Sequence, residues 1–412
     1  MPARRLGENS TCFFFRGAEI WISGSGRDFT WCIIKYCQGT LENVIKHSLN
    51  GCSRPNQKLQ KGQIIMSNAR LRIQLNEFLY AGLFLIISVH FALNFSKTGK
   101  YFLDINKFID GQAAIPYQYR ILTAPIFKGL IGLFASFDLT KILQNCPLYI
   151  ATPTQQAYFI VNTTSYFVSL GVFALIAREV FDSRRDVICT SALFVVISYA
   201  IFILNPNLQF ILPYDMPSLA FVQICCLLVL QRRWAVLGVV FALATLNRET
   251  SFLIILFVLT RVWTASEDRR TGLAVAVILS VIWLAIKFTL SSLIVGVESD
   301  APVGGIVTIK FFYNLTTLLK PWQWPSLSAL IIPVILTICF LFEKPNNKAL
   351  DWIVPYVLGF TMIFIVANVT EHRAFGDLIG FAAMSLMFFF KSRNIFSSTR
   401  WFQNQSKDVV KL

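Results

Sequence analysis

The chain has 412 residues, 55% of them hydrophobic and only 14% charged, with a mean hydropathy of +0.59 and a formal net charge of +15. That composition excludes an ordinary soluble domain, which would need far more charge on its surface, and many apolar runs approach the roughly 20 residues that cross a bilayer. The bases stand in short stretches between those runs, as the positive-inside rule expects, so the excess positive charge is read as membrane orientation; membrane lipids are expected as partners and nucleic acid is not.

Residues 1–65 differ from the rest. They hold four of the nine cysteines and no spanning run, and no secretory signal with a compact apolar stretch and cleavage site is visible there. Met66 is followed by "SNARLRIQLNEFLYAGLFLIISVHF", a short basic leader and then a first apolar helix. The expected organisation is a disordered tail or mis-assigned extension over 1–65, a helical transmembrane domain over 66–395 and a cytoplasmic tail over 396–412. The cysteines follow neither a zinc nor a disulfide spacing and read as small apolar filler, and the three histidines are too scattered in sequence for a histidine-rich metal site.

Candidate spans follow at 77–95, 157–177, 187–204, 216–230, 234–246, 250–262, 271–295, 328–342, 352–368 and 374–390. The fold class is therefore an all-α polytopic membrane protein of about ten transmembrane helices. The run "ILTAPIFKGLIGLFASF" at 121–137 contains Pro125 and Lys128. Counting it as a span would put Arg178, Arg184 and Arg185 outside, so it is assigned to a re-entrant or interfacial helix after the first outer loop. With that choice the basic segments at 70–72, 178–186, 231–233, 261–270 and 391–393 all lie inside, together with both termini. The membrane expected is a bacterial inner membrane.

The segment between 233 and 261 has about 28 residues in which to enter the membrane and return. Two helices of about 13 residues reach only about 20 Å each, short of a hydrocarbon core near 30 Å. At their turn stand Asn247, Arg248, Glu249 and Thr250. A central Arg or acid opposes insertion by roughly 2.5–3.5 kcal/mol, whereas each Leu, Ile or Phe contributes only about 0.3–0.6. Adjacent helical residues do not face each other, so Arg248 and Glu249 are expected to have separate partners in a polar chamber. Asn247 is expected to cap the second half-helix and to turn its N–H groups toward that chamber.

The same layout gathers other polar residues on the outer side. The first outer loop supplies Asp104, Asp110, Gln118, Tyr119 and Arg120; "PYDMPS" supplies Tyr214 and Asp215; a long outer loop holds Glu298, Asp300, Trp322 and Trp324; and "NVTEHRAFGDLIGF" supplies Glu371, His372, Arg373 and Asp377. Each has a plainer reading. The loop charges can be simply solvated, Asp215 can cap a helix beginning at Pro217, Glu371 and Arg373 can anchor at headgroup level, and Asp377 can pair locally with Arg373.

The words "PYQYR" (116–120), "YDMPS" (214–218), "LATLNRET" (243–250) and "EHR" (371–373) resemble a group of bacterial membrane proteins built on the plan of the GT-C-like polytopic glycosyltransferases. The resemblance covers the layout of about 75–395 and, in sequence, only those words. It implies transfer of a sugar from a polyprenyl-phosphate-type donor to an acceptor on the outer face. Asp110 or Asp104 would be the general base, Arg248 and Arg373 with Arg120 the phosphate clamp, and Tyr119, Asp215, Asn247 and His372 substrate contacts. Glu249, counted with the catalytic acids, would orient Arg248 or Arg373. Many relatives carry two adjacent acids in the first loop, whereas here Asp104 and Asp110 are six apart. No cofactor is required by this chemistry, and a divalent ion held by the acids stays open. A broken helix with charges at membrane depth also fits a transporter or flippase of an anionic or lipid-linked substrate, although "NRET" has no partner in a second repeat. A noncatalytic component of envelope polysaccharide assembly is the third reading.

Overall fold

The computed structural model describes residues 14–15, 18–19, 57–101, 103–113, 117–137, 150–204, 210–264, 269–294 and 310–395, with side chains from Phe78 onward. Glu298, Asp300, the side chain of Gln118, the 396–412 tail and most of 1–65 lie outside them. The chain divides into two compact units, Met1–Glu77 and Phe78–Leu412. Within the first, strands β1 (Phe14–Phe15) and β2 (Ala18–Glu19) pair antiparallel, with Phe14 opposite Glu19. Helix α1 (Gln57–Thr98) already begins ahead of Met66, and its Phe78–Thr98 stretch belongs to the second unit.

The second unit is helical, as its hydropathy demands. Among the described residues six helical stretches are long and apolar enough to cross a membrane: Phe78–Thr98 of α1, α4 (Pro153–Val180), α5 (Arg184–Phe202), α9 (Arg269–Leu293), α12 (Asn347–Val366), and the run His372–Ser392, which joins a 3-10 turn (His372–Leu378) to α13 (Ile379–Ser392). The other four expected spans are helices too, but shorter: α6 (Asp215–Leu230), α7 (Trp234–Asn247), α8 (Phe252–Thr264) and α11 (Trp324–Leu341). At 1.5 Å per residue α7 and α8 are about 20 Å long, so the hairpin is as short as its sequence implied. The run at 121–137 is helix α3 (Thr123–Phe137), packed on α4. Between α1 and α3 lie β3 (Lys100–Tyr101) and the short helix α2 (Ile105–Ile109).

Local chemistry sets several boundaries. Thr152 starts α4 with a capping box, its hydroxyl accepting from the Gln155 N–H while Gln155 Oε1 accepts from the Thr152 N–H. Asn346 caps α12 through the Ala349 N–H at 2.9 Å. In α9 the outward stripe is apolar, with Phe288 70% exposed and Val277 and Val281 beside it, where a water-soluble bundle would carry charge.

The two ends of the bundle differ in kind. At one end Arg184 reaches the Tyr80 hydroxyl at 2.5 Å, Lys391 meets Asp186 at 2.8 Å, Arg393 meets Glu343, and Arg261 meets Asp351 at 3.4 Å. These contacts bring Arg184, Arg261, Lys391 and Arg393 to a common end. The opposite end is built from short connections. Strand β3 pairs in parallel with β4 (Phe210–Ile211), tying the segment after α1 to the one before α6. Helix α10 (Phe311–Leu318) is fastened there by Asn314, whose Nδ2 donates to the Phe364 and Ala367 carbonyls at 2.5 and 2.7 Å and whose Oδ1 accepts from the Val369 N–H at 2.9 Å. Replacing Asn314 by Ala leaves those buried groups unpaired and is expected to destabilise the fold by about 1–3 kcal/mol, with earlier proteolysis around α10, measured by limited digestion in detergent.

Candidate functional site: a buried arginine and acid cluster

At the end opposite the basic segments, four separate pieces of chain meet. The 3-10 turn Tyr117–Tyr119 delivers Arg120, the start of α6 delivers Tyr214 and Asp215, the α7–α8 turn delivers Arg248, Glu249 and Thr250, and the segment before α13 delivers Glu371, Arg373 and Asp377. Backbone contacts hold the pieces in place. The Leu122 N–H donates to the Leu246 carbonyl at 3.4 Å, and Asn247 Nδ2 donates to the Tyr214 carbonyl at 3.0 Å.

Arg248 sits at the centre. Its Nη1 lies 3.4 Å from Asp215 Oδ1 and 3.6 Å from Asp377 Oδ2, and both carboxylates are wholly buried. Arg373 Nη1 stands 3.6 Å from the other Asp215 oxygen, while its Nη2 donates to Glu371 at 3.0 Å. Ser218 donates to Asp377 at 3.0 Å, and the Thr250 hydroxyl donates to the same carboxylate. Arg120 stands over the Tyr214 ring, its Cζ 4.2 Å from the ring centre, and donates to Glu249 at 3.1 Å. Lys287, in the last two turns of α9, sits 5.5 Å from the Tyr119 ring centre, and Trp283 one turn earlier donates to the Glu249 carbonyl at 3.0 Å. Among the described residues Arg120, Arg248 and Arg373 pair with Asp215, Asp377, Glu249 and Glu371, and Lys287 lies near enough to Glu249 to feel its charge, so the formal charges of this group balance. Neutrality is what makes it tolerable in a setting where an isolated ion would be costly.

Several sequence expectations change here. Asn247 does not cap α8. It ends α7, and its amide is spent on the Tyr214 carbonyl, because the extended Arg248 backbone (φ −161, ψ 138) breaks the hairpin one residue later. Glu249 orients neither Arg248 nor Arg373 but pairs with Arg120, since the 3-10 turn Glu249–Ser251 points neighbouring side chains in different directions. Asp215 opens α6 itself and makes no capping bond, so its carboxylate belongs to the arginines. Asp377 turns to Arg248 instead of pairing locally with Arg373.

The loop acids differ from each other. Asp104 is the N-cap of α2, its Oδ1 accepting from the Asn106 and Lys107 N–H groups at 3.0 and 3.3 Å. Asp110 follows that helix, exposed, and its carboxylate has no hydrogen bond or ion pair among the described residues. It stands two residues beyond Phe108, which is buried with its ring 6.5 Å from that of Tyr214, so the chain keeps Asp110 within about 7 Å of an anchor on the cluster. His372 is buried, and neither of its ring nitrogens finds a partner among the described residues. Tyr119 is half-buried under Lys287. Sequence reasoning passed over Lys287, Tyr117, Ser218 and Trp283. A lone lysine inside the 271–295 apolar run was the one legible signal among them.

The electrostatics agree with the geometry. Burial by itself would raise the Glu249 carboxyl, but the charges of Arg120 and Lys287 and the Arg120 hydrogen bond outweigh it and hold the group at about 2. Burial likewise opposes the Arg120 charge, and Glu249 more than restores it, so that guanidinium is held even more firmly protonated than usual. A depressed acid contributes stability that is fully present above its unfolded value of 4.5 and is lost as the pH falls toward 2. The melting temperature of the wild-type protein in detergent is therefore expected to fall more steeply across that acid range than that of Glu249→Gln, with no difference in slope between about pH 6 and pH 8.

Among the described residues no group of three or more His, Cys, Asp or Glu side chains is arranged to hold a metal ion. The acids here face arginines rather than one another. The chain matches no family model, no curated protein and no solved structure in the comparisons made.

Proposed function

We propose that this chain is a multi-pass membrane glycosyltransferase of the GT-C-like plan, moving a sugar from a polyprenyl-phosphate-type donor to an acceptor on the outer face. The membrane would be a bacterial inner membrane, with the basic end and both termini cytoplasmic and the arginine cluster at the outer end. The observation that carries the reading is the convergence of Arg120, Arg248 and Arg373, from three distant stretches of sequence, on one buried place.

The chemistry needs one base and a stabilised leaving group. Asp110 takes the proton of the acceptor hydroxyl as that oxygen bonds to the anomeric carbon. The bond from the sugar to the donor phosphate breaks, and the charge left on the phosphate is met by guanidinium groups. Asp104 is committed to capping α2 and Glu249 to its pair with Arg120, which leaves Asp110 for the proton. Asp215 and Asp377 hold Arg248 and, through Asp215, Arg373 in place.

The test is transfer of label from radiolabelled polyprenyl-phosphate sugars to membrane acceptors by the purified protein. Wild type should transfer, and Asp110→Asn, altered on an exposed carboxylate with no structural bond, should lose about 10²–10⁴-fold in rate while melting normally. Equal transfer by the two proteins would remove Asp110 as base. Flux of substrate into sealed vesicles without covalent transfer would replace the reading with a transporter, and neither activity would favour a noncatalytic assembly component.

A further inference from the structure

The cations of the cluster are held in two different ways. Arg248 is gripped by Asp215 and Asp377, both wholly buried and out of reach of solvent. Arg120 and Arg373 each have one inner support and one outer carboxylate. Arg120 rests on the Tyr214 ring and meets Glu249, while Arg373 is fixed by Asp215 and meets Glu371. The two outer carboxylates are the solvent-facing members of the cluster, with side chains 33% and 37% exposed against 10% and 9% for their arginines. Neither caps a helix: Glu249 opens a short 3-10 turn without a side-chain cap, and Glu371 precedes another in the same way. Their arginines are near enough to feel each other's charge, so the two rim positions belong to one site.

We propose that Glu249 and Glu371 are place-holders for a phosphate group, and that a phosphate-bearing isoprenoid lipid displaces them to occupy Arg120 and Arg373. This rests on the transferase reading for the identity of the lipid, though not for the exchange itself. Carboxylate and phosphate oxygens compete for the same guanidinium edges, and a phosphate monoester brings more charge and more acceptor oxygens to each edge. A solvent-facing ion pair is the weaker kind, because water and salt screen it, whereas the pairs made by Asp215 and Asp377 are shielded. Exchange therefore occurs at the rim, while the inner acids keep the arginines aimed. The arrangement also gives an empty site a neutral resting state, so that no arginine is left uncompensated between turnovers.

Calorimetric titration of the full chain in lipid nanodiscs tests this, with a short isoprenyl phosphate and inorganic phosphate as probes. Removing the competing charge in Glu371→Gln or Glu249→Gln is expected to tighten isoprenyl phosphate binding about tenfold in each case. Glu343→Gln removes a similar charge at the opposite end and is expected to leave it unchanged. Unchanged or weaker binding in both rim variants, or an equal gain in Glu343→Gln, overturns the exchange. Isoprenyl phosphate binding at least about tenfold more tightly than inorganic phosphate supports a lipid-borne ligand, and equal binding overturns that part of the proposal. The transfer assay separates the two ideas. A gain in affinity without sugar transfer sinks the transferase and leaves the exchange standing, whereas transfer without any gain sinks the exchange alone.

Discussion

Arg248→Ala is expected to lower the stability of the folded chain by about 3–5 kcal/mol, the largest effect of any single truncation in the cluster. The reason lies less in the attraction that is lost than in what stays behind. Asp215 and Asp377 are wholly buried, and removing Arg248 leaves Asp377 with two hydroxyl donors and no cation, while Asp215 keeps only Arg373. The measurement is reversible unfolding in mixed micelles. If the loss comes from stranded charge, adding Asp377→Asn to Arg248→Ala restores part of it, because a neutral amide no longer needs the guanidinium. A double variant no more stable than Arg248→Ala alone would instead place the loss in side-chain packing.

On the transferase proposal, Arg373→Lys is expected to do the opposite, keeping the fold while reducing sugar transfer by about 10²–10³-fold. A lysine retains the charge that neutralises Asp215, so the melting temperature should stay close to that of the wild type. It cannot span Asp215 and Glu371 with two rigid nitrogens as the guanidinium does at 3.6 and 3.0 Å, and it presents no planar edge to a phosphate. Loss in the rate constant, with little change in apparent substrate affinity, would mark an interaction made mainly in the transition state. A variant that transfers at the wild-type rate would take Arg373 out of the phosphate site, and an equal loss of folding would make its role structural.

The two expectations draw on different depths of the same cluster, and those depths were unequally legible. Hydropathy placed all ten candidate spans on helices, and a 28-residue limit foretold the short α7–α8 hairpin, since helix length follows directly from residue count. The gathering of the words "QYR", "YDMPS", "NRET" and "EHR" at one end followed from alternating the spans across a membrane. Partner choice was a different matter. Asn247, Glu249, Asp215 and Asp377 all found partners other than those their local spacing suggested, and Lys287 went unremarked inside an apolar run.

Charge scarcity in long apolar stretches carried the helical class, the approximate element boundaries and the separation of basic segments from the arginine end, because burying or exposing a whole helix is a sum over many residues and survives errors in any one of them. The ion pairs depended on directions that no such sum contains. One extended residue at Arg248 and one 3-10 turn after it rotate adjacent side chains toward different elements, so only the folded arrangement of α6, α7, α9 and the segment before α13 decided that Arg248 meets Asp215 and Asp377 while Glu249 meets Arg120.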